Sequence, residues 1–282
     1  MLALLLGLTA SGQEVGFTTP WPLTLFGVWA LFLVIFIGIE LRTPQPMIDL
    51  HLFRNRLLTI NLVTGFLTFV AIAGTILLLP FYLEEALGFN VLQAGLLLSV
   101  TPIALGVMAP IAGSLSDRLG ARPITLTGLV LLVIGYFTAS TLTAESTIVG
   151  YVLRLLPVGL GMGIFQSPNN SVIMGSAPQG QLGIVSGLLS VTRTLGQTAG
   201  IAILGALWAS RVYSYAGGAT ASGATSAPIP AQVAGLQDTY RSIAVLVIAA
   251  LLLGIWGYVQ ERKTQPQEQG APAIHEPIIG GE

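Results

Sequence analysis

The sequence predicts an all-α protein that crosses a membrane several times. Charge is scarce: 8% of the 282 residues are Asp, Glu, Lys or Arg and 53% are hydrophobic, where soluble domains carry about 25% charged residues. The apolar residues also fall in long runs. No charged residue occurs between Glu14 and Glu40, between Glu85 and Asp117, or between Arg154 and Arg193. A helix of ~20 apolar residues crosses a ~30 Å hydrocarbon core. Strands of a transmembrane barrel alternate polar and apolar positions, and these runs do not.

Taken in chain order, the elements read as follows. Residues 1–12, "MLALLLGLTASG", hold about ten apolar residues, only ~15 Å of helix. They lack the basic start and cleavage site of a signal peptide, so a truncated transmembrane helix is expected. One additional span follows at 22–40, then a cytoplasmic connector at 41–56. Six spans are predicted at 57–83, 92–115, 123–143, 147–168, 183–211 and 239–260, together a six-helix unit over 57–260. The small, polar stretch 215–235 reads as a flexible outer loop, and 264–282 as a disordered cytoplasmic tail.

Basic residues set the orientation. Arg42, Arg54, Arg56, Arg118, Arg122, Arg262 and Lys263 fall on one side of this scheme, and Glu14, Glu84, Glu85, Glu145 and Asp238 on the other. The basic side is cytoplasmic by the positive-inside rule. The lipid bilayer is therefore a partner by composition. With no cysteine and only His51 and His275, no metal site or cofactor is expected, and neither is a nucleic-acid partner. No catalytic cluster is apparent either, because Glu40, Glu84, Glu85 and Asp117 all fall at span ends or in turns.

The densest charge lies in "GSLSDRLGARP", residues 113–123, between two apolar runs. Glycines at 113 and 120 let helix ends approach and the chain turn. Asp117 is placed to favour the N-terminus of the following helix, and Arg118 or Arg122 to pair with it. The turn is either a latch that breaks when helices move or a basic anchor to the inner face. Its Gly113, Leu115, Asp117, Arg118, Gly120 and Arg122 resemble the cytoplasmic signature of the major facilitator superfamily. "PMIDLHLFRNR" (46–56) is similar to the connector ahead of the C-terminal six helices in the fourteen-span drug:proton antiporters. "LPFYLEEALGFNVLQAGLLLSVTPIALGVMAP" and "GLGMGIFQSPNNSVIM" resemble that group as well.

The resemblance implies the C-terminal six-helix bundle of a major facilitator fold, in an integral protein of the plasma or inner membrane. It implies drug or small-molecule efflux by proton antiport with alternating access. The substrate and protons would be partners, as would an N-terminal six-helix half that this sequence lacks. A membrane scaffold or subunit that does not transport is the rival expectation. Glu84 departs from the family, which often has glutamine there.

Polar positions inside the spans are the candidate pathway. Arg193 lies ten residues past Gly183, ~15 Å along a helix and near the midplane. Ser186, Ser190, Arg193 and Gln197 recur every three or four residues, so they share one face. That face lines a cavity or a helix contact. Asn61, Thr64 and Thr68, with Thr75 beyond, form a second stripe that either lines a cavity or satisfies itself on its own helix. Gln166, Asn169 and Asn170 are expected at the inner end of a span, around Pro168. Arg154 is expected to reach back to the outer surface. Gly159 with Gly163, and Gly196 with Gly200, read as close helix contacts.

Overall fold

The structure is a computed structural model that describes residues 50–178, 180–218 and 223–264. The expected segment 1–12, the span 22–40, residues 41–49 of the connector and residues 265–282 of the tail lie outside the described residues.

Helix α1, Arg56–Phe81, begins where Asn55 turns its side chain back to accept from the amides of Leu57 and Leu58. Two residues after Pro80 the winding loosens into a π turn, Tyr82–Ala86. Short α2, Val91–Leu98, is started by a reciprocal Asn90–Gln93 capping box. It bends at Ser99 into α3, Val100–Leu119. Only Gly120 separates α3 from α4, Ala121–Ala139. Its φ of 88° is open to glycine and strained for other residues. Thr147 caps α5, Ile148–Gly175. Then come α6, Leu182–Ala216, closed by left-handed Gly217, and α7, Ile229–Thr264. Among the described residues there is no strand.

The predicted all-α class holds, and the largest boundary shifts fall at two places. Helix α5 continues through Pro168 to Gly175, so Gln166 and Asn169 sit inside a helix rather than at its end. Proline is tolerated there because neighbouring helices re-satisfy the freed backbone groups. Helix α7 begins ten residues before the expected 239, inside the stretch read as a flexible loop. Ala231, Val233 and Leu236 are buried, and Gln232 donates to the carbonyls of Thr225 and Ala227. Trp208 donates in turn to the Gln232 carbonyl.

Five segments are long and apolar enough to cross a membrane: Arg56–Ala86, Val91–Leu119, Ala121–Ala139, Ile148–Gly175 and Ile229–Gln260. Helix α6 matches them in length, at 35 residues, but not in apolarity, because it carries the polar stripe.

The helices pack as two interlocked triplets, α1–α3–α4 and α5–α6–α7. The first helix of each triplet packs on the second of the other, α1 on α6 and α5 on α3. Each third helix packs on the first of the other triplet, α4 on α5 and α7 on α1, and α4 also packs on α7. Three passes separate equivalent helices, so they run in opposite directions. This is the arrangement of an inverted repeat.

In lipid, apolar area alone does not hold helices together, and close packing of small residues does. A Cβ on Gly196 would stand 2.8 Å from that of Phe69, and one on Gly200 would stand 2.5 Å from the Val70 carbonyl oxygen. On the other triplet contact, Gly159 and Gly163 abut the carbonyls of Thr101 and Leu105 at 2.6 and 2.8 Å. Gly128 and Gly135 of α4 meet the backbone of Phe165 and Val158. The glycine pairs read from the sequence are thus contacts that admit no side chain. The apolar core between α1, α4, α5 and α7 includes Leu78, Leu132, Leu155 and Ile243.

Candidate functional site

The two polar stripes go to different places. On α1, Asn61, Thr64 and Thr68 are buried. Each bonds its own helix: Asn61 Nδ2 donates to Leu57 O at 2.7 Å, Thr64 Oγ1 to Ile60 O at 2.9 Å, and Thr68 Oγ1 to Thr64 O at 2.7 Å. Gly65, in the middle of this stripe, lies against Asn169 of α5, whose Nδ2 is 3.4 Å from where a Cβ would be. Asn169 is 1% exposed and its Oδ1 finds no partner. This stripe is an interior α1–α5 contact, and Gln166 stands half-buried one turn along α5.

The α6 stripe faces outward from the bundle. Ser186 and Ser190 are exposed, while Arg193 and Gln197 are half-buried. Ser190 bonds back to the Ser186 carbonyl at 3.0 Å. The Arg193 guanidinium lies over the Phe69 ring, 5.2 Å from its centroid, and its Nε is buried without a partner. Phe69 itself is 3% exposed. Apolar residues therefore stand between the two stripes, and they do not form one pocket within this bundle.

Other polar groups hold the end of the bundle where α4 meets α5. The Tyr82 hydroxyl donates to the Thr143 carbonyl at 2.7 Å, and Gln237 Nε2 to the Leu142 carbonyl at 2.7 Å. Arg154 donates to Thr141 Oγ1 at 2.9 Å and to Gly150 O at 3.0 Å, so it reaches back toward the helix start as expected. A half-open pocket nearby, lined by Leu78, Phe81, Tyr82 and Trp208 among others, holds about 10 Å³. That admits one water and nothing larger.

Sequence reasoning missed a buried hydroxyl cluster. Tyr136, Tyr151 and Tyr240 are fully buried, and the Tyr136 and Tyr240 rings stack at 6.3 Å. Thr75 is the hydrogen-bonding neighbour of the Tyr136 and Tyr240 hydroxyls, at a geometry short of a well-formed bond. The four residues come from four helices, so no local spacing announces them.

In the signature turn, Asp117 and Arg118 are exposed in the last turn of α3, and Leu115 is also exposed. Arg118 there suits the negative end of the helix, whereas Asp117 was expected to serve the start of α4. Gly113 faces Ser167 of α5, and Gly120 makes the break. Arg122 lies beside α7, its Nη1 3.5 Å from where a Cβ on Gly257 would be. Among the described residues, no group of three His, Cys, Asp or Glu side chains is placed to hold a metal.

The model of the Major Facilitator Superfamily matches residues 1–201. An uncharacterized transporter of Escherichia coli, YebQ, is 35% identical over 72% of this chain and 45% of its own length. The riboflavin transporter RibZ of Clostridioides difficile is 33% identical over 65% of this chain and 40% of its own. The multidrug transporter protein MdtP of Bacillus subtilis is 26% identical over 75% and 39% respectively. The matched segment thus spans under half the length of each relative.

Proposed function

Given that the chain belongs to the Major Facilitator Superfamily, we propose that it is the C-terminal portion of a small-molecule efflux transporter driven by proton antiport. Members of the superfamily are membrane transporters, not enzymes. The substrate binds between this bundle and an N-terminal six-helix half, and rocking of the two exposes it to each side in turn. The observation that carries this is the α6 stripe: a mid-span arginine with serines and a glutamine on an outward face. Such a face at membrane depth calls for a protein or water partner. Multidrug and riboflavin transporters among the relatives are consistent with an organic substrate.

In this scheme the polar α6 face lines the pathway, while Asn61, Thr64, Thr68, Gln166 and Asn169 stiffen the wall behind it. The Asp117–Arg122 turn and the tail are cytoplasmic, and the protein sits in the plasma or inner membrane. Expression of the full reading frame in an efflux-deficient bacterium tests the function. Lowered accumulation of at least one drug or dye, restored by a protonophore, is the expected result. Unchanged accumulation across a broad panel, with the protein in the membrane, would favour a scaffold that does not transport.

A further inference from the structure

We propose that Arg193 receives the anionic group of the substrate, so that the site prefers aromatic acids and zwitterions over lipophilic cations. This rests on α6 facing the pathway, as argued above, and adds the substrate's charge.

The depth of Arg193 follows from the helix register. Gly196 and Gly200 seat α6 on Phe66, Phe69 and Val70 so closely that a side chain at either glycine would collide. Arg193 is thereby held on Phe69, the middle of α1, which runs Arg56–Phe81. A cation at that depth is costly to maintain without an opposite charge. The Phe69 ring supplies part of the compensation through its face. It supplies no hydrogen-bond acceptor, and Nε is buried without one.

No acid with a described side chain reaches this point. Glu84 and Glu85 lie in the π turn past the end of α1. Glu145 is in the α4–α5 connection, and Asp117 is in the last turn of α3. Asp238 is engaged by Arg241 at 2.8 Å and by the Tyr215 hydroxyl at 2.8 Å. Among the described side chains, then, the guanidinium has no carboxylate and no hydrogen-bonding partner.

With Nε shut in, the two terminal amino groups are the part of the fork left to a ligand. That edge matches the two oxygens of a carboxylate. Packing on Phe69 restricts the guanidinium, which lowers the entropy lost on binding. A cationic drug on the same face meets a like charge in a medium that screens poorly.

The test uses the protein from its full reading frame in lipid nanodiscs, with 1-naphthoate and 1-naphthylmethylammonium as probes. They share a ring system and differ in charge. Naphthoate should bind at least about tenfold more tightly, a modest ratio for one unscreened charge. Arg193→Gln should abolish the preference, Arg193→Glu should reverse it, and Arg193→Lys should keep its direction. Equal or tighter binding of the ammonium, or an unchanged preference in Arg193→Gln, would overturn the proposal. So would binding of neither probe. A large loss of thermal stability in Arg193→Gln without any naphthoate affinity would show that a carboxylate elsewhere in the protein is the partner. Binding is read without flux. A charge preference without vesicle transport would sink the transporter function alone, and transport without a charge preference would sink this inference alone.

Discussion

Replacing Gly200 by alanine should loosen the whole α1–α6 contact. The new Cβ would lie 2.5 Å from the Val70 carbonyl oxygen, 2.7 Å from the Ala73 Cβ and 2.9 Å from the Val70 Cα. Ordinary contact begins at 3.4 Å, so the methyl is short of room by ~0.9 Å. Two of the three obstructing atoms are backbone and cannot rotate away. The helices must part, and gaps of ~0.5–1 Å forfeit a quarter to a half of each dispersion contact along the seam. Overpacking of this kind costs about 1–3 kcal/mol, and alanine's better helix propensity returns up to ~1 kcal/mol. A net loss of about 1–2 kcal/mol is expected, a factor of roughly 5–30 in the folded ratio. Gly187 is the control on the same helix, since nothing lies within 4 Å of its Cβ position. Gly187→Ala should be neutral or stabilising by up to ~1 kcal/mol. Denaturant titration in detergent micelles, followed by circular dichroism, measures both. A Gly200→Ala protein as stable as the parent, or equal losses at both sites, would refute the packing argument.

Three other outcomes follow from the same geometry. Gly120→Ala forces a side chain to φ near 88° and should destabilise by about 1–3 kcal/mol in the same titration, while Leu119→Ala, exposed next to it, should not. Tyr136→Phe and Thr75→Val each remove a buried hydroxyl whose contact falls short of a well-formed hydrogen bond, so each should change stability by no more than about 1 kcal/mol; a larger loss would reveal a full bond. Single cysteines at Leu119 and Glu145 flank α4 and should react with an impermeant maleimide from opposite sides, Leu119→Cys from the cytoplasm; labelling from one side would break the topology.

The all-α membrane class was legible because apolar runs of bilayer length leave no other solution. The glycine pairs were legible too, since spacing of four on an apolar helix puts Gly196 and Gly200 on one line. What periodicity does not contain is direction. Asn61, Thr64 and Thr68 do share a face, but only the packing shows that it meets Gly65's neighbour Asn169 on α5. The start of α7 was hidden by composition: Pro228, Pro230 and small residues look like loop. Yet prolines are tolerated in a helix's first turn, and Ala231 and Val233 are buried against the core. The end of α5 was hidden by Pro168 for a related reason. The hydroxyl cluster of Thr75, Tyr136, Tyr151 and Tyr240 needed the tertiary arrangement, because each tyrosine looks like an isolated polar atom in an apolar span and Thr75 reads as the far end of the α1 stripe. Arg193 was the opposite case. Its depth and charge singled it out from sequence, and the structure added Phe69 beneath it.

Substrate flux in proteoliposomes under an imposed pH gradient tests most directly whether this bundle is one half of a proton-coupled transporter. The comparison is between the purified 282-residue chain and the same chain reconstituted with its N-terminal six-helix half. Proton coupling needs a group whose proton affinity changes as access alternates, a role that carboxylates and histidines fill inside membrane spans. The chain by itself should therefore give no gradient-dependent accumulation, and the two halves together should give accumulation that a protonophore abolishes. Gradient-driven accumulation by the chain alone, or none by the two halves together, would contradict the proposed function.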